Sequence, residues 1–386
     1  MLRVSLFLIT RNHKMGLILS KLFRWPFQPQ AVHDSQATRQ KLLASLQGAT
    51  VTIPNLRGLF NNWPQDVNPE VERLDEDVQR KLEELFSQEK RLRKMKAAKA
   101  ALFGASWWPY ADFDTLRVAT YLSIWLFAWD DETDSCEFST LCTDLEKATQ
   151  FRAETLNYIR NVLEPAKNTQ HSLLASNNII SMFGEIGDPV FKASTTAQAY
   201  SFLNELEFFV NMTDVEQRCQ MSELPSVEEY QKRRMGSSAV GVCLAITEYC
   251  YGMEIPEHVM RGEKMRLLWD ETNIIISTSN DILSIKKEIA QEQVDTLIPL
   301  LTQRHGSPQA AIDAAFEILS ASVKSFEAVS KDLYAQYSED QYLLLKLEKF
   351  IRGCRYACTG NLNWSLCSGR YALGDDSANE TFQVTL

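Results

Sequence analysis

The chain has 386 residues, a formal net charge of −10, and only 15 glycines and 12 prolines. Glycine and proline both fall below their usual share, and no Asn-Gly or Asp-Gly turn separates two alternating runs, so the composition favours an all-α chain. The acidic balance disfavours nucleic acid as a partner, because neutralising phosphates needs a basic face. No run of 18 or more apolar residues occurs, so no segment is expected to span a membrane.

The first residues are basic and free of acids through position 33, with Arg3, Arg11, Lys14, Lys21 and Arg24 among the apolar runs VSLFLIT and MGLIL. Residues 1–50 read as a loose, disordered N-terminal extension outside the fold, although a targeting or membrane-surface role fits the pattern too. Eight scattered cysteines, with no CxxC pair, read as reduced, core-packed thiols in a cytoplasmic protein. Cys354 and Cys358 share a helix face but lack histidines at zinc-ligand spacing.

From residue 51 a proline-bearing lead-in, VTIPNLRGLFNNWP, gives way to helical periodicity that continues almost to the end. Breaks fall at SWWPYADF, DSCEFST, EPAKNTQ, FGEIGDPV, SELPSVEEY, GMEIPEHV and RHGSPQAA, each with turn or capping residues. The expected object is one helical domain over 51–373, followed by a flexible tail, 374–386. Nothing in the sequence speaks to oligomeric state.

Two clusters carry the chemistry. In TYLSIWLFAWDDETD, Asp130 and Asp134 lie one helical turn apart with Asp131 beside them, at the end of an apolar stripe that includes Phe127. Clustered carboxylates repel unless a cation sits between them, and such oxygens suit Mg²⁺; a solvated helix end gives the same pattern. In NDILSIKKE, Asn280, Ser284 and Glu288 recur every four residues, which drifts only about 80° around a helix. An amide oxygen, a hydroxyl and a carboxylate on one stripe offer three oxygens to a hard cation at the cost of one negative charge. Lys286 and Lys287 stand beside them, and apolar Ile274, Ile275 and Ile276 run straight into the stripe. That juxtaposition reads as the mouth of a cavity.

These stretches resemble class I terpene synthases. DDETD is similar to the family's aspartate-rich motif, and NDILSIKKE to its second metal motif. GNLNWSLCSGRY resembles the ending of fungal sesquiterpene synthases, with Arg370 and Tyr371 as their Arg-Tyr pair, and YQKRRMGSSAV resembles the segment carrying their diphosphate-sensing arginine. The resemblance covers residues 51–372. It implies a single-domain α-helical bundle around a deep apolar cavity and a site holding three Mg²⁺, with Asp130, Asn280, Ser284 and Glu288 as ligands. Asp131 and Asp134 would support those ligands or pair with basic residues on closure. Arg234, Lys287, Arg370 and Tyr371 would bind the diphosphate of an isoprenoid substrate, Arg233 being the other candidate sensor. Phe103, Trp107, Phe127, Ile276 and Trp364 are the expected cavity walls, since aromatic faces stabilise cations. The implied activity is metal-dependent ionisation of farnesyl diphosphate and cyclisation to a sesquiterpene or its alcohol. A chain-elongating prenyl transferase would be expected to carry a second aspartate-rich motif in place of Asn-Ser-Glu. A non-catalytic binder of isoprenoid diphosphates would tolerate broken metal motifs, and here every ligand is present.

Overall fold

A computed structural model describes residues 29–134, 137–164, 175, 177–371, 373 and 380–386. In chain order the first elements are α1 (Pro29–Leu46), β1 (Thr50–Ile53), a 3-10 turn (Arg57–Phe60), α2 (Val71–Leu85), α3 (Glu89–Ala97), α4 (Ala100–Trp107) and α5 (Phe113–Asp134). The middle of the chain forms α6 (Leu145–Leu163), α7 (Asn178–Ala193), α8 (Thr196–Gln220), α9 (Val227–Ser237), α10 (Val240–Ala245), α11 (Thr247–Cys250) and α12 (Glu257–Met260). The long helices α13 (Glu263–Ala290), α14 (Leu297–His305), α15 (Pro308–Gln336) and α16 (Gln341–Cys367) follow, and β2 (Phe382–Thr385) ends the chain. The all-α expectation holds, and among the described residues the one sheet is the β1–β2 ribbon.

Local chemistry explains the boundaries. Thr195 and Ser226 start α8 and α9 with reciprocal capping boxes to Gln198 and Glu229. Ser307 caps α15 with Pro308 at the first helical position, where its missing N–H is lost from no hydrogen bond. Gly306, with φ of 80°, ends α14 in the left-handed region open to glycine. α5 buries Leu122, Ile124, Trp125, Leu126, Ala128 and Trp129 on several faces, as a helix surrounded by others must. It packs against α4 and α7, while α13 packs against α15 and α16.

Both ends of the chain depart from expectation. Within the segment read as a loose extension, α1 buries Leu42, Leu43 and Leu46, and Arg39 Nε lies 3.1 Å from Asp295 Oδ1 beside α14. Within the expected tail, Phe382–Thr385 pairs antiparallel with Thr50–Ile53 and buries Phe382 and Val384. Residues 1–28 and 374–379 lie outside the described residues. The thiols differ as well: Cys142 is disulfide-bonded, whereas Cys219, Cys243, Cys250, Cys354, Cys358 and Cys367 are free. No helix among the described residues is long and apolar enough to cross a membrane.

Candidate active site

The apolar body of α5 delivers its acids to one end. Asp130 is partly exposed and Asp131 is buried, with Lys94 Nζ from α3 at 3.7 Å from Asp131 Oδ2. That oxygen has no hydrogen-bond partner, an unusual condition for a buried carboxylate. Glu132 accepts a bond from Arg91 Nη1 at 2.5 Å, and Arg91 Nη2 donates to the Ala128 carbonyl. Asp134 closes α5, and its side chain lies outside the described residues.

On α13 the second motif forms two hydrogen-bonded sets. Ser284 Oγ donates to Glu288 Oε1 at 2.5 Å, and Thr296 Oγ1 donates to Glu288 Oε2 at 2.6 Å. Asn280 Nδ2 donates to the Tyr371 hydroxyl at 2.7 Å, while Asn280 Oδ1 accepts from Arg234 Nη2 at 2.8 Å. Arg234 also lies 3.3 Å from Asp281 Oδ1, and Tyr230 donates to Asp281 Oδ2 at 2.9 Å. Burial pushes the Glu288 carboxyl up to about 7, with the Asp281 charge adding to it and the Ser284 and Thr296 bonds opposing it. Burial also works against the Arg234 charge, but Tyr230, Asp281, Glu216 and Glu288 outweigh it and hold the guanidinium cationic.

Arg370 and Tyr371 join the two clusters. Tyr371 is buried against Asn280, and burial raises its hydroxyl above the ordinary tyrosine value. Burial opposes the Arg370 charge too, and Tyr371, Asp131 and Asp130 overcome it. The guanidinium sits 4.7 Å from the centre of the Phe127 ring. Beneath it lies an aromatic box. Phe127 and Trp364 stack at 5.6 Å and 5°, Phe103 meets both edge-on, and Trp107 stacks on Phe103 at 4.9 Å. Trp364 Nε1 is satisfied by the Ala98 carbonyl, so its rings can face hydrocarbon without an orphaned donor.

Of the residues singled out in the sequence, Asn280, Arg234 and Tyr371 thus meet, Ser284 bonds Glu288, whose charge acts on Arg234, Asp130 and Asp131 act on Arg370 through their charge, and Phe103, Trp107, Phe127 and Trp364 form one cluster. Ile276 is buried on α13 and Lys287 is partly exposed at its end. Arg233 points elsewhere: its Nη2 donates to the Asp295 carbonyl and lies 3.5 Å from Glu216. Sequence reasoning passed over Lys94, Glu132, Tyr230 and Asp281. Tyr230 stands one turn before Arg234 and Lys94 three residues after Arg91, so each shares a helix face with a residue that reaches the site, while Glu132 and Asp281 directly follow Asp131 and Asn280; their cross-helix partners had no such signal.

The oxygen-only donors of Asp130, Asn280, Ser284 and Glu288 fit a hard divalent cation. A cation would hold Glu288 ionised against the burial that now raises it. Among the described residues no group of three or more His, Cys, Asp or Glu side chains forms a metal cluster, so such a site depends on the mixed amide, hydroxyl and carboxylate set. Two clefts of about 240 and 260 Å³ lie apart from it, one at Tyr110, Tyr251 and Tyr356 and the other at Asp77, Lys81 and Glu185.

This architecture defines an α-helical terpenoid synthase. The family description "terpene synthase family 2, C-terminal metal binding" matches residues 121–325. Sesquiterpene cyclase hepA of Aspergillus oryzae is 32% identical, over 87% of this chain and 93% of its own. Terpene cyclase braA of Annulohypoxylon truncatum is 28% identical, over 94% and 96%. Among solved structures, an α-eudesmol synthase superposes with a TM-score of 0.69 at 18% identity, covering 80% of this chain and 98% of that one. A cucumene synthase variant gives 0.68 at 18% identity, over 80% and 99%. The chain belongs to the terpene synthase family and is a terpene cyclase.

Proposed function

We propose that the protein is a cytoplasmic sesquiterpene synthase that takes farnesyl diphosphate, breaks its allylic C–O bond and cyclises the hydrocarbon cation, releasing diphosphate. The observation that carries this reading is the hydrogen-bonded chain Tyr371–Asn280–Arg234, with Arg370 beside it in the field of the α5 acids and over the Phe127 ring of the aromatic box. Along that run the acids face Arg370, and the neutral Tyr371 and Asn280 separate it from the second cation, Arg234, with the aromatic surface of Phe127 and Trp364 against Arg370 and Tyr371.

Mg²⁺, three ions in all, would be held by Asp130 and by Asn280, Ser284 and Glu288, and would stabilise the charge that develops on the leaving oxygen. The protein's own groups do the rest. Arg234, Lys287 and Arg370 supply fixed positive charge and N–H donors for diphosphate oxygens, and the Tyr371 hydroxyl, which accepts from Asn280 Nδ2, keeps its own proton to donate. The buried Asp131, beside Lys94, orients the acid cluster. Phe103, Trp107, Phe127 and Trp364 give the cation ring faces and keep out water, which would quench it early. The carbons close their rings, and the cation ends either by losing a proton or by capturing one water that then loses a proton, the released diphosphate being a base able to take it in both cases.

The test is incubation of the purified protein with geranyl, farnesyl and geranylgeranyl diphosphates, with and without Mg²⁺, followed by mass spectrometric analysis of the extract. A cyclic C15 product that requires both farnesyl diphosphate and metal is expected, and Asn280→Ala or Glu288→Ala should abolish it while the melting temperature stays near wild type. A longer prenyl diphosphate would make the enzyme a chain elongator. No turnover of any substrate by folded protein would leave a binder only.

A further inference from the structure

The chain breaks its helix about one turn after the arginine that meets Asn280. α9 ends at Ser237, Ala239 adopts a left-handed φ of 58°, and α10 begins at Val240. That conformation is unfavourable for any residue with a β-carbon, so neighbouring contacts must impose it. From the α8 side the imposition is steric: a β-carbon on Gly236 would lie 2.4 Å from Met212 Cγ, and one on Gly241 would lie 2.2 Å from Glu205 Oε2. From the α13 side it is a hydrogen-bonded clamp made by one side chain, Asn273.

A helix break strands carbonyls of the last turn. Ala239 N–H turns to the Gly236 carbonyl, and the Met235 carbonyl is taken by Asn273 Nδ2 at 2.9 Å. Asn273 Oδ1 accepts from Ser238 Oγ at 3.0 Å, and that hydroxyl in turn accepts the Val240 N–H at 3.3 Å. One buried amide therefore holds the residue after Arg234 with its donor and the start of the next helix with its acceptor. Asn273 precedes Asn280 by seven residues, two helical turns and about 10 Å along the same face of α13. The same stripe that grips the backbone beside Arg234 also receives its guanidinium.

We propose that Asn273 is a positioning residue for diphosphate binding: it fixes the register of α9 on α13 so that Arg234 reaches Asn280 and the substrate's diphosphate. The contacts to α8 bend the chain; the Asn273 clamp sets where along α13 the bent end sits. This inference rests on the functional reading above.

The experiment is a double-mutant cycle read as affinity for inorganic diphosphate in the presence of Mg²⁺, by titration calorimetry of wild type, Asn273→Ala, Arg234→Ala and the double variant. Each single substitution is expected to weaken binding about tenfold, the size of one charge-assisted hydrogen bond. The double variant should bind as Arg234→Ala does, within about twofold, because a residue acting through Arg234 has nothing left to align. A structural residue would instead lower affinity by the same factor in both backgrounds, and that result, or unchanged affinity in Asn273→Ala, overturns the proposal. Should Asn273→Ala fail to fold, Ser238→Ala removes the acceptor half of the clamp in the same cycle, with about a threefold loss expected in the wild-type background and none beside Arg234→Ala. Wild-type protein that binds no diphosphate overturns the functional reading and this one with it. Diphosphate binding that is indifferent to the clamp sinks this one alone.

Discussion

Arg233 and Arg234 are neighbours in sequence and about 100° apart on the helix, which is enough to give them unrelated surroundings. Spacing from the metal motif could not choose between them, because the groups that capture Arg233, Glu216 and the Asp295 carbonyl, come from α8 and the α13–α14 loop. Burial separates their roles: Arg233 is 4% exposed and shares its charge with Glu216, whereas Arg234 stands at the edge of the α13 stripe. Replacing Arg233 by Gln should therefore cost stability, about 2–3 kcal/mol, the lower side of breaking a buried pair because Glu216 keeps some contact with water. Replacing Arg234 by Gln should leave the melting temperature within a few degrees and lower turnover of farnesyl diphosphate about 100-fold, as loss of a preorganised donor does. Thermal melts and steady-state rates on both variants decide it, and the opposite pattern would assign diphosphate binding to Arg233.

At the scale of elements, periodicity in the sequence was enough to find the long helices, and the four-residue spacing of Asn280, Ser284 and Glu288 was enough to find the polar stripe on α13. Which helix faces which was not legible, because side-chain volume at single points decides it. Gly360 on α16 is the clearest case: a β-carbon there would lie 2.6 Å from the Ser106 carbonyl oxygen and 2.8 Å from its carbon on α4. Backbone cannot yield as a flexible side chain can, so this glycine sets the closest approach of the two helices. Trp364, one turn later on α16, meets Phe103 from α4 only because of it. Gly360→Ala is expected to lower stability by about 1–3 kcal/mol, the usual cost of overpacking, and to open the aromatic box. Mass spectrometric product analysis should then show more acyclic or early-quenched material. An unchanged melting temperature and an unchanged product would mean that α4 and α16 are not held by this contact.

Across the whole molecule, the proposed function gives the acids the task of importing the cations that an anionic protein needs for an anionic substrate, and that logic was already readable in a chain with net charge −10 and two oxygen-rich motifs. The chain ends were not readable. TVTI and FQVT are four residues each, too short for alternation to separate a strand from a loop, and their pairing spans more than 300 residues. Yet β1 and β2 tie the lead-in to the segment that follows Arg370 and Tyr371, and Gly48 N–H donates to the Leu386 carbonyl while Leu386 N–H donates to the Ala49 carbonyl. The ribbon also leans on the bundle, because Gln309 of α15 bonds both the N–H and the carbonyl of Thr52. Removing residues 380–386 should expose part of the buried faces of Val51 and Ile53 and leave β1 with its packing on α15 and the Gln309 bonds as its holds on the bundle. Hydrogen exchange is then expected to accelerate at residues 49–53 by at least about tenfold, while α13, buried among α10, α15 and α16, keeps its wild-type protection. If β1 stays protected in the truncated chain, α15 alone holds it; if α13 loosens as well, the ribbon belongs to the same cooperative unit as the site, and the C-terminal strand stabilises the bundle rather than its edge.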